Sequence, residues 1–119
     1  MCRLAPDSPV PGWCVTGAFF CLTRTAEELS IVCEEDRVPD GMPAEKDWVA
    51  LKLEGPFPFS MTGVLASFIQ PLADGGIPIF AISTFDTDYV LVKNTDLERA
   101  LKALNEAGHK MLFRDDVAR

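Results

Sequence analysis

The sequence has few of the features that mark nucleic-acid-binding, membrane or secreted proteins. Its formal net charge is −7, and lysine and arginine form no cluster that could follow a phosphate backbone or an anionic membrane. No apolar run approaches the roughly 18 residues of a membrane span. The N-terminus also lacks the apolar block of a signal peptide. We therefore expect a cytoplasmic protein that binds neither nucleic acid nor membrane.

Motifs for catalysis and metal binding are scarce as well. The chain has no G-x-S-x-G, no P-loop and no G-x-G-x-x-G. A cysteine–histidine pair could still meet in space, but nothing in the sequence marks a cysteine as activated. No C-x-x-C pair occurs and the single histidine is His109, so we expect no metal, no cofactor and no enzyme. The cysteines are expected to be apolar filler on strands: Cys2, Cys14, Cys21 and Cys33.

The remaining charged residues fit ordinary surface positions. Glu27-Glu28 and Glu34-Glu35-Asp36 are expected to form a solvated face, since their spacing is not that of a calcium-binding loop. His109 is expected at the surface or at the edge of the core.

What the chain does have is an organising stretch, residues 53–92. Its helix pattern puts five apolar residues on one face: Val64, Leu65, Phe68, Ile69 and Leu72. Thr62 is expected to cap this helix, Gly63 to open it, and Gly75-Gly76 to end it. Pro71 removes one helical N–H and is expected to bend the last turn.

Strand and helix signals on both sides of this helix predict a β-α-β-β-α-β order. The predicted strands are 48–53, 77–84, 88–92 and 109–113. A capping box from Thr95 to Glu98 begins the second helix, which Gly108 ends.

The first half resembles a weaker copy of the second. Its predicted strands are Cys2–Ala5, Phe19–Thr23 and Leu29–Cys33, and a single helical turn is expected at Glu34–Asp36. A spacing of 60 residues carries Phe20, Val32 and Asp36 onto Phe80, Val92 and Asp96. The long first helix is missing, and only Pro9–Cys14 stands in its place. We therefore predict two modules, 1–46 and 47–119, of which the first is abbreviated.

Two segments carry a resemblance to a known family. These are LEGPFPFSMTGVLASFIQPLADGGIPIFAISTFDTDYVLV and the upstream TRTAEELSIVCEEDRVP, which with their linker cover about three quarters of the chain. They are similar to the ACT domain pairs of aspartokinases and, more closely, of CASTOR-type arginine sensors, and the chain looks like a small bacterial protein of this kind. The resemblance implies an α+β fold of two ferredoxin-like ACT-type modules in a mostly antiparallel sheet arrangement. The sensors carry two such pairs, whereas this chain carries one.

The same resemblance implies a ligand site at the interface between modules. The loop and helix start would meet the α-carboxylate and α-amino groups of an amino acid, and the strand turn would face its side chain. Carried over by position, the residues are Phe59, Ser60, Met61, Thr62, Gly63 and Val64, followed by Thr84, Phe85 and Asp88.

The residues themselves leave alternatives open. The free N–H groups at Thr62–Leu65 suit a carboxylate, but any helix start has such groups. Asp88 could pair with a ligand ammonium or guanidinium, whereas Asp86 is expected in a solvated turn. Phe85 is either a wall of the site or part of the core.

Together these observations predict an allosteric regulatory sensor rather than an enzyme. The expected partners are a small amino-acid ligand and a second copy of the chain in a homodimer, and a regulated protein is a further candidate. The alternative is a ligand-free ACT-like module that only dimerises or docks a partner, since open sheet edges invite pairing.

Overall fold

Two compact units make up the chain in a computed structural model that describes residues 1–53 and 63–109. The N-terminal unit extends from Met1 to Asp47, and the C-terminal unit begins at Trp48. Each unit contains one three-stranded antiparallel sheet. The predicted α+β class is confirmed.

The C-terminal unit is a sheet with two helices packed on one face. In chain order its elements are β4 (Trp48–Lys52), α1 (Val64–Asp74), β5 (Ile79–Ser83), β6 (Asp88–Lys93) and α2 (Leu97–Glu106). The strand order is β4-β6-β5, which places β6 between the two strands that α1 connects. This is the split β-α-β arrangement of ferredoxin-like folds. Residues 110–113 of the predicted final strand lie outside the described residues.

The core of this unit forms because alternate strand residues and one stripe of each helix meet. The strands contribute residues such as Val90 and Val92, both fully buried, and α1 contributes Phe68 and Leu72. Leu104 of α2 closes the cluster. Successive strand residues point to opposite faces of the sheet, so every second residue of each strand faces the helices.

Helix α1 begins and ends at glycines with left-handed backbone. Gly63 is the N-cap, with φ of 78°, and Thr62, the expected cap, lies outside the described residues. The helix continues through Pro71 to Asp74. At its end Gly76, with φ of 69°, donates to Ala73 O, and the N–H of Ile77 donates to Leu72 O. This pair of bonds is a Schellman motif.

Helix α2 starts differently from the prediction. A 3₁₀ turn at Asn94–Asp96 leads into the helix, and Asp96 is the N-cap without a side-chain capping bond. The predicted capping box is therefore not formed. Asp96 instead accepts a 2.8 Å bond from Arg99 in the first turn.

The N-terminal unit repeats the strand order in a smaller form. Strands β1 (Cys2–Leu4), β2 (Phe20–Arg24) and β3 (Leu29–Cys33) lie in the order β1-β3-β2. A 3₁₀ turn at Gly12–Cys14 occupies the place of a first helix. The buried core consists of Cys2, Cys14, Leu29 and Ile31.

The two units repeat at a spacing of 59 residues rather than 60. The β2–β3 pairs run from Phe20–Cys33 to Arg24–Leu29, and the β5–β6 pairs from Ile79–Val92 to Ser83–Asp88. The 3₁₀ turns at Glu35–Arg37 and Asn94–Asp96 follow the same spacing. A shift of one residue would exchange the two faces of each strand. The proposed correspondence of Phe20 with Phe80 is therefore off by one, although the repeat itself is present in the strand order.

Candidate functional site

One end of the C-terminal sheet is tied together by hydrogen bonds to Leu53, the residue that follows β4. The hydroxyl of Thr87 donates to Leu53 O at 2.6 Å, and the N–H of Leu53 donates to Asp88 O at 3.0 Å. Both bonds join the end of β4 to the turn between β5 and β6. We call this region the hairpin end: Leu53, residues 84–88 and the start of α1.

The start of α1 belongs to this end because of the chain's path. Strand β5 runs from Ile79, paired with Val92, towards Ser83, paired with Asp88 at the hairpin end. Four residues separate the C-terminus of α1 from the start of β5, so this end of the helix lies at the far end of the sheet. An 11-residue helix spans about 16 Å, so α1 packed on this sheet begins near the hairpin end.

The turn between β5 and β6 is closed by its own hydrogen bonds and has an exposed aromatic residue at its tip. The N–H of Thr84 donates to Thr87 O at 2.8 Å, and the Thr84 hydroxyl accepts from the Thr87 N–H at 3.2 Å. Thr87 is 8% exposed, whereas Phe85 at the tip is 81% exposed. Of the two proposals for Phe85, a core position is thus excluded.

Asp88 is half-buried and already has one partner. Its carboxylate accepts a hydrogen bond from the hydroxyl of Ser83, the residue directly opposite on β5. A carboxylate has about four acceptor positions, so Asp88 retains capacity for a cationic or N–H donor.

The start of α1 offers donors rather than acceptors. Gly63 is the N-cap, and a Cβ placed there would meet no atom of residues 1–53 or 63–109 within 4 Å. The N–H groups of the first helical turn have no partner within the helix, so they favour an anion. Val64 is half-buried and packs on the core.

Five of the predicted site residues can thus be placed. Topology brings Gly63 and Val64 to the same end as Thr84, Phe85 and Asp88. Phe59, Ser60, Met61 and Thr62 lie outside the described residues. Thr87 was not predicted as a site residue. The only signal for it is a polar β-branched residue beside a turn aspartate, which is common in turns.

The acidic residues of the N-terminal unit do more than solvate a surface. Glu34 accepts from the Ala18 N–H at 2.9 Å, and Glu35 accepts from the Asp47 N–H at 3.0 Å. Glu35 is exposed, as expected of a solvated face, whereas Glu34 is half-buried. Within residues 1–53 and 63–109, no group of three or more metal-binding side chains is placed to hold an ion.

Two of the cysteines, Cys14 and Cys33, lie in surroundings that disfavour the thiolate. Burial raises the pKa of the Cys14 thiol. This thiol donates a hydrogen bond to Pro11 O, with 3.1 Å between Sγ and the oxygen. Burial likewise raises the pKa of Cys33, and the neighbouring Cys2 adds to the effect. A nucleophilic cysteine needs the opposite shift. None of the helices in the described parts of the chain has the length and apolar character to span a membrane.

Comparison with known proteins adds relatives to this geometry. The ACT domain family model matches residues 44–106, and a model of an N-terminal domain matches residues 1–41. The human protein CASTOR3P is 37% identical over 92 residues, which cover 66% of this chain and 56% of CASTOR3P. The bovine cytosolic arginine sensor for mTORC1 subunit 1 is 29% identical, with 72% of this chain and 30% of the sensor covered.

A solved structure is also similar over most of its length. It is the crystal structure of a structural genomics target from Agobacterium tumefaciens, 44% identical, with a TM-score of 0.88. The match covers 94% of this chain and 84% of that one. By contrast, the chain spans about half of CASTOR3P and under a third of the arginine sensor. It is a small protein that resembles the ACT pairs of CASTOR-type sensors, and it belongs to the ACT domain family.

Proposed function

We propose that the chain is a regulatory, non-enzymatic module that binds a small amino acid at the hairpin end of its C-terminal unit. The observation that carries this proposal is the combination at one end of the sheet of a helix start at a left-handed glycine and a half-buried carboxylate. These groups have opposite preferences, one for anions and one for cations. An amino acid carries both charges a few ångströms apart.

The helix start is the proposed site for the ligand's α-carboxylate. Unpaired N–H groups and the positive end of the helix dipole both stabilise an anion there. Gly63 has no Cβ, and among the described residues no atom lies within 4 Å of the place a Cβ would take, so a ligand oxygen can approach its backbone there. Phe59, Ser60, Met61 and Thr62 remain predicted contacts of the same group.

The hairpin is the proposed site for the cationic part of the ligand. Asp88 would form a charge-assisted bond with an ammonium or guanidinium group, which is stronger than a neutral bond. Thr84 and Phe85 flank it, and the exposed ring of Phe85 would cover the aliphatic part of the ligand. The mTORC1 relatives are named as arginine sensors, which makes arginine the first amino acid to test.

Regulation would follow from differential binding. A ligand shifts a conformational equilibrium only by the difference in its affinity for the two states. We propose a cytoplasmic homodimer, with a ligand site completed by a second ACT module and a regulated protein partner. These assembly features come from the resemblance and remain predictions.

Thermal unfolding with each of the twenty amino acids in excess tests the function. A ligand at 100 times its dissociation constant adds roughly 2.7 kcal/mol to the folded state, about 8–15 °C in Tm for a chain of this size. We expect a shift with one amino acid or a chemically related pair. A flat panel would contradict the proposal.

Asp88→Asn then tests the assigned contact. The amide oxygen can still accept from Ser83, so the fold is retained while the charge is lost. We expect the affinity for a cationic amino acid to fall by about tenfold or more, which one charge-assisted bond can account for. Asp86→Asn, at the exposed turn, is the matched control. Equal effects of both substitutions in isothermal titration calorimetry would remove the role of Asp88.

A second candidate is the ligand-free interaction module. It is favoured by the 81% exposure of Phe85 and by strand β5, which pairs only with β6 among the described strands. An open strand edge can pair with another chain. A stable oligomer in light scattering, combined with a flat amino-acid panel, would support this candidate over the sensor.

A further inference from the structure

Helix α1 contains a carbonyl that its own backbone cannot satisfy. Pro71 lies inside the helix and has no N–H, so Ser67 O, four residues earlier, loses its helical partner. His109 supplies a replacement, because its Nε2 lies 3.0 Å from Ser67 O. A carbonyl oxygen can only accept, so Nε2 must carry the proton and donate.

The imidazole is held in this position from two sides. Its backbone closes the Schellman motif that ends α2, where the His109 N–H donates to Leu104 O at 2.9 Å and Gly108 has a φ of 93°. Its ring packs edge-on against Phe68, with centroids 5.2 Å apart and planes at 67°. Phe68 is itself buried in the core. His109 therefore links the end of α2 to the middle of α1.

Ser67 carries this link to the start of the helix. Its N–H donates to Gly63 O at 2.9 Å, and its hydroxyl donates to Val64 O at 2.8 Å. Gly63 and Val64 are two of the predicted ligand-binding residues. The residue that His109 binds is thus the one that holds the carbonyls of the first turn.

We propose that His109 is a positioning residue for the amino-acid site. Because Pro71 has no N–H, Ser67 O receives its hydrogen bond from His109 at the end of α2. The conformation of the first two turns of α1 therefore depends on this donor. The substitution Pro71→Ala would restore a backbone N–H that can donate to Ser67 O within the helix. The ligand part of this inference rests on the proposed function, whereas the coupling between Pro71 and His109 does not.

A double-mutant cycle tests the coupling in the full chain without any ligand. The variants are His109→Ala, Pro71→Ala and both together, and the measured quantity is hydrogen exchange of the Ser67 amide. We expect His109→Ala to speed exchange by about three- to tenfold, the range that one hydrogen bond supports. In the Pro71→Ala background the same change should have about twofold effect or less. The lost ring contact with Phe68 is common to both backgrounds and cancels.

Binding provides the second readout. With the amino acid that gives the largest thermal shift in the wild type, His109→Ala should weaken binding by about three- to tenfold. His109→Gln, whose amide can donate to Ser67 O, should recover most of that affinity. Normal binding by His109→Ala would overturn the positioning role.

The failures of the two proposals can be told apart. Equal exchange effects of His109→Ala in both backgrounds would overturn the hydrogen-bond assignment, whatever the ligand panel shows. A flat amino-acid panel in the wild type would overturn the ligand part together with the proposed function.

Discussion

In the N-terminal unit, backbone conformation and the space beside it explain why position 17 is a glycine. Gly17 has a φ of 93°, and a Cβ there would lie 1.8 Å from Oε1 of Glu34. That oxygen is the acceptor for the Ala18 N–H. The glycine and the glutamate therefore form one unit of structure, although they are far apart in sequence.

Gly17→Ala is expected to destabilise the protein by about 1–3 kcal/mol. The left-handed backbone strains any L-residue, and moving Glu34 away gives up its bond to Ala18. Urea unfolding measures the loss. Gly12→Ala is the matched control, since a Cβ at Gly12 meets nothing within 4 Å and its φ is not positive. A Gly17→Ala variant as stable as Gly12→Ala would refute this account.

At the scale of elements, the joint between β4 and the β5–β6 turn decides the shape of the hairpin end. Thr87 is the buried polar residue at that joint, and its hydroxyl reaches across to Leu53. The equivalent turn in the N-terminal unit has the same threonine: Thr25 Oγ1 accepts from the Glu28 N–H at 3.2 Å, as Thr84 does from Thr87. The turn is thus a repeated element, whereas the joint through Thr87 belongs to the C-terminal unit.

Thr87→Val should cost about 1–3 kcal/mol, because it leaves the Leu53 carbonyl without its buried donor. Thr87→Ser keeps the hydroxyl and is expected to lose less. Exchange of the Leu53 amide, which donates to Asp88 O, reports whether the joint has opened. We expect faster exchange in Thr87→Val than in Thr87→Ser. The reverse order would contradict the stabilising role of the bond from Thr87 to Leu53 O.

For the whole molecule, the raised pKa values of two thiols predict that stability depends on alkaline pH. The pKa values of Cys14 and Cys33 are raised above the ordinary 9.0. Above about pH 9 the unfolded chain loses these protons first, so it binds fewer protons than the folded chain. Stability is therefore unaffected at neutral pH and falls as the pH rises through the folded pKa values.

Unfolding free energies between about pH 8 and pH 10.5 test this, with a slope of at most about 1.4 kcal/mol per pH unit for each thiol. The double variant Cys14→Ala/Cys33→Ala should show a shallower decline. Cys21→Ala is the matched replacement and should leave the decline in place, because Cys14 and Cys33 both remain. An unchanged slope in the double variant would contradict the assignment.

Much of the architecture was predictable because it depends on local patterns. Strand β3 was predicted with its observed bounds, and the other strands and α1 within a few residues, since alternation and helical spacing are encoded in neighbouring positions. The helix ends at Gly76 and Gly108 were predictable for the same reason, whereas the left-handed backbone of Gly63 was not predicted. The α+β class and the ACT family follow from these patterns and from the resemblance.

The tertiary structure decided what depends on groups distant in sequence. The repeat spacing of 59 follows from which face of β3 and β6 meets its core, a property that a few sequence identities do not carry. The exposure of Phe85, the burial of Thr87 and the bond from His109 to Ser67 each depend on a neighbour brought close by folding. Local sequence determines backbone conformation, whereas side-chain partners are set by packing between elements.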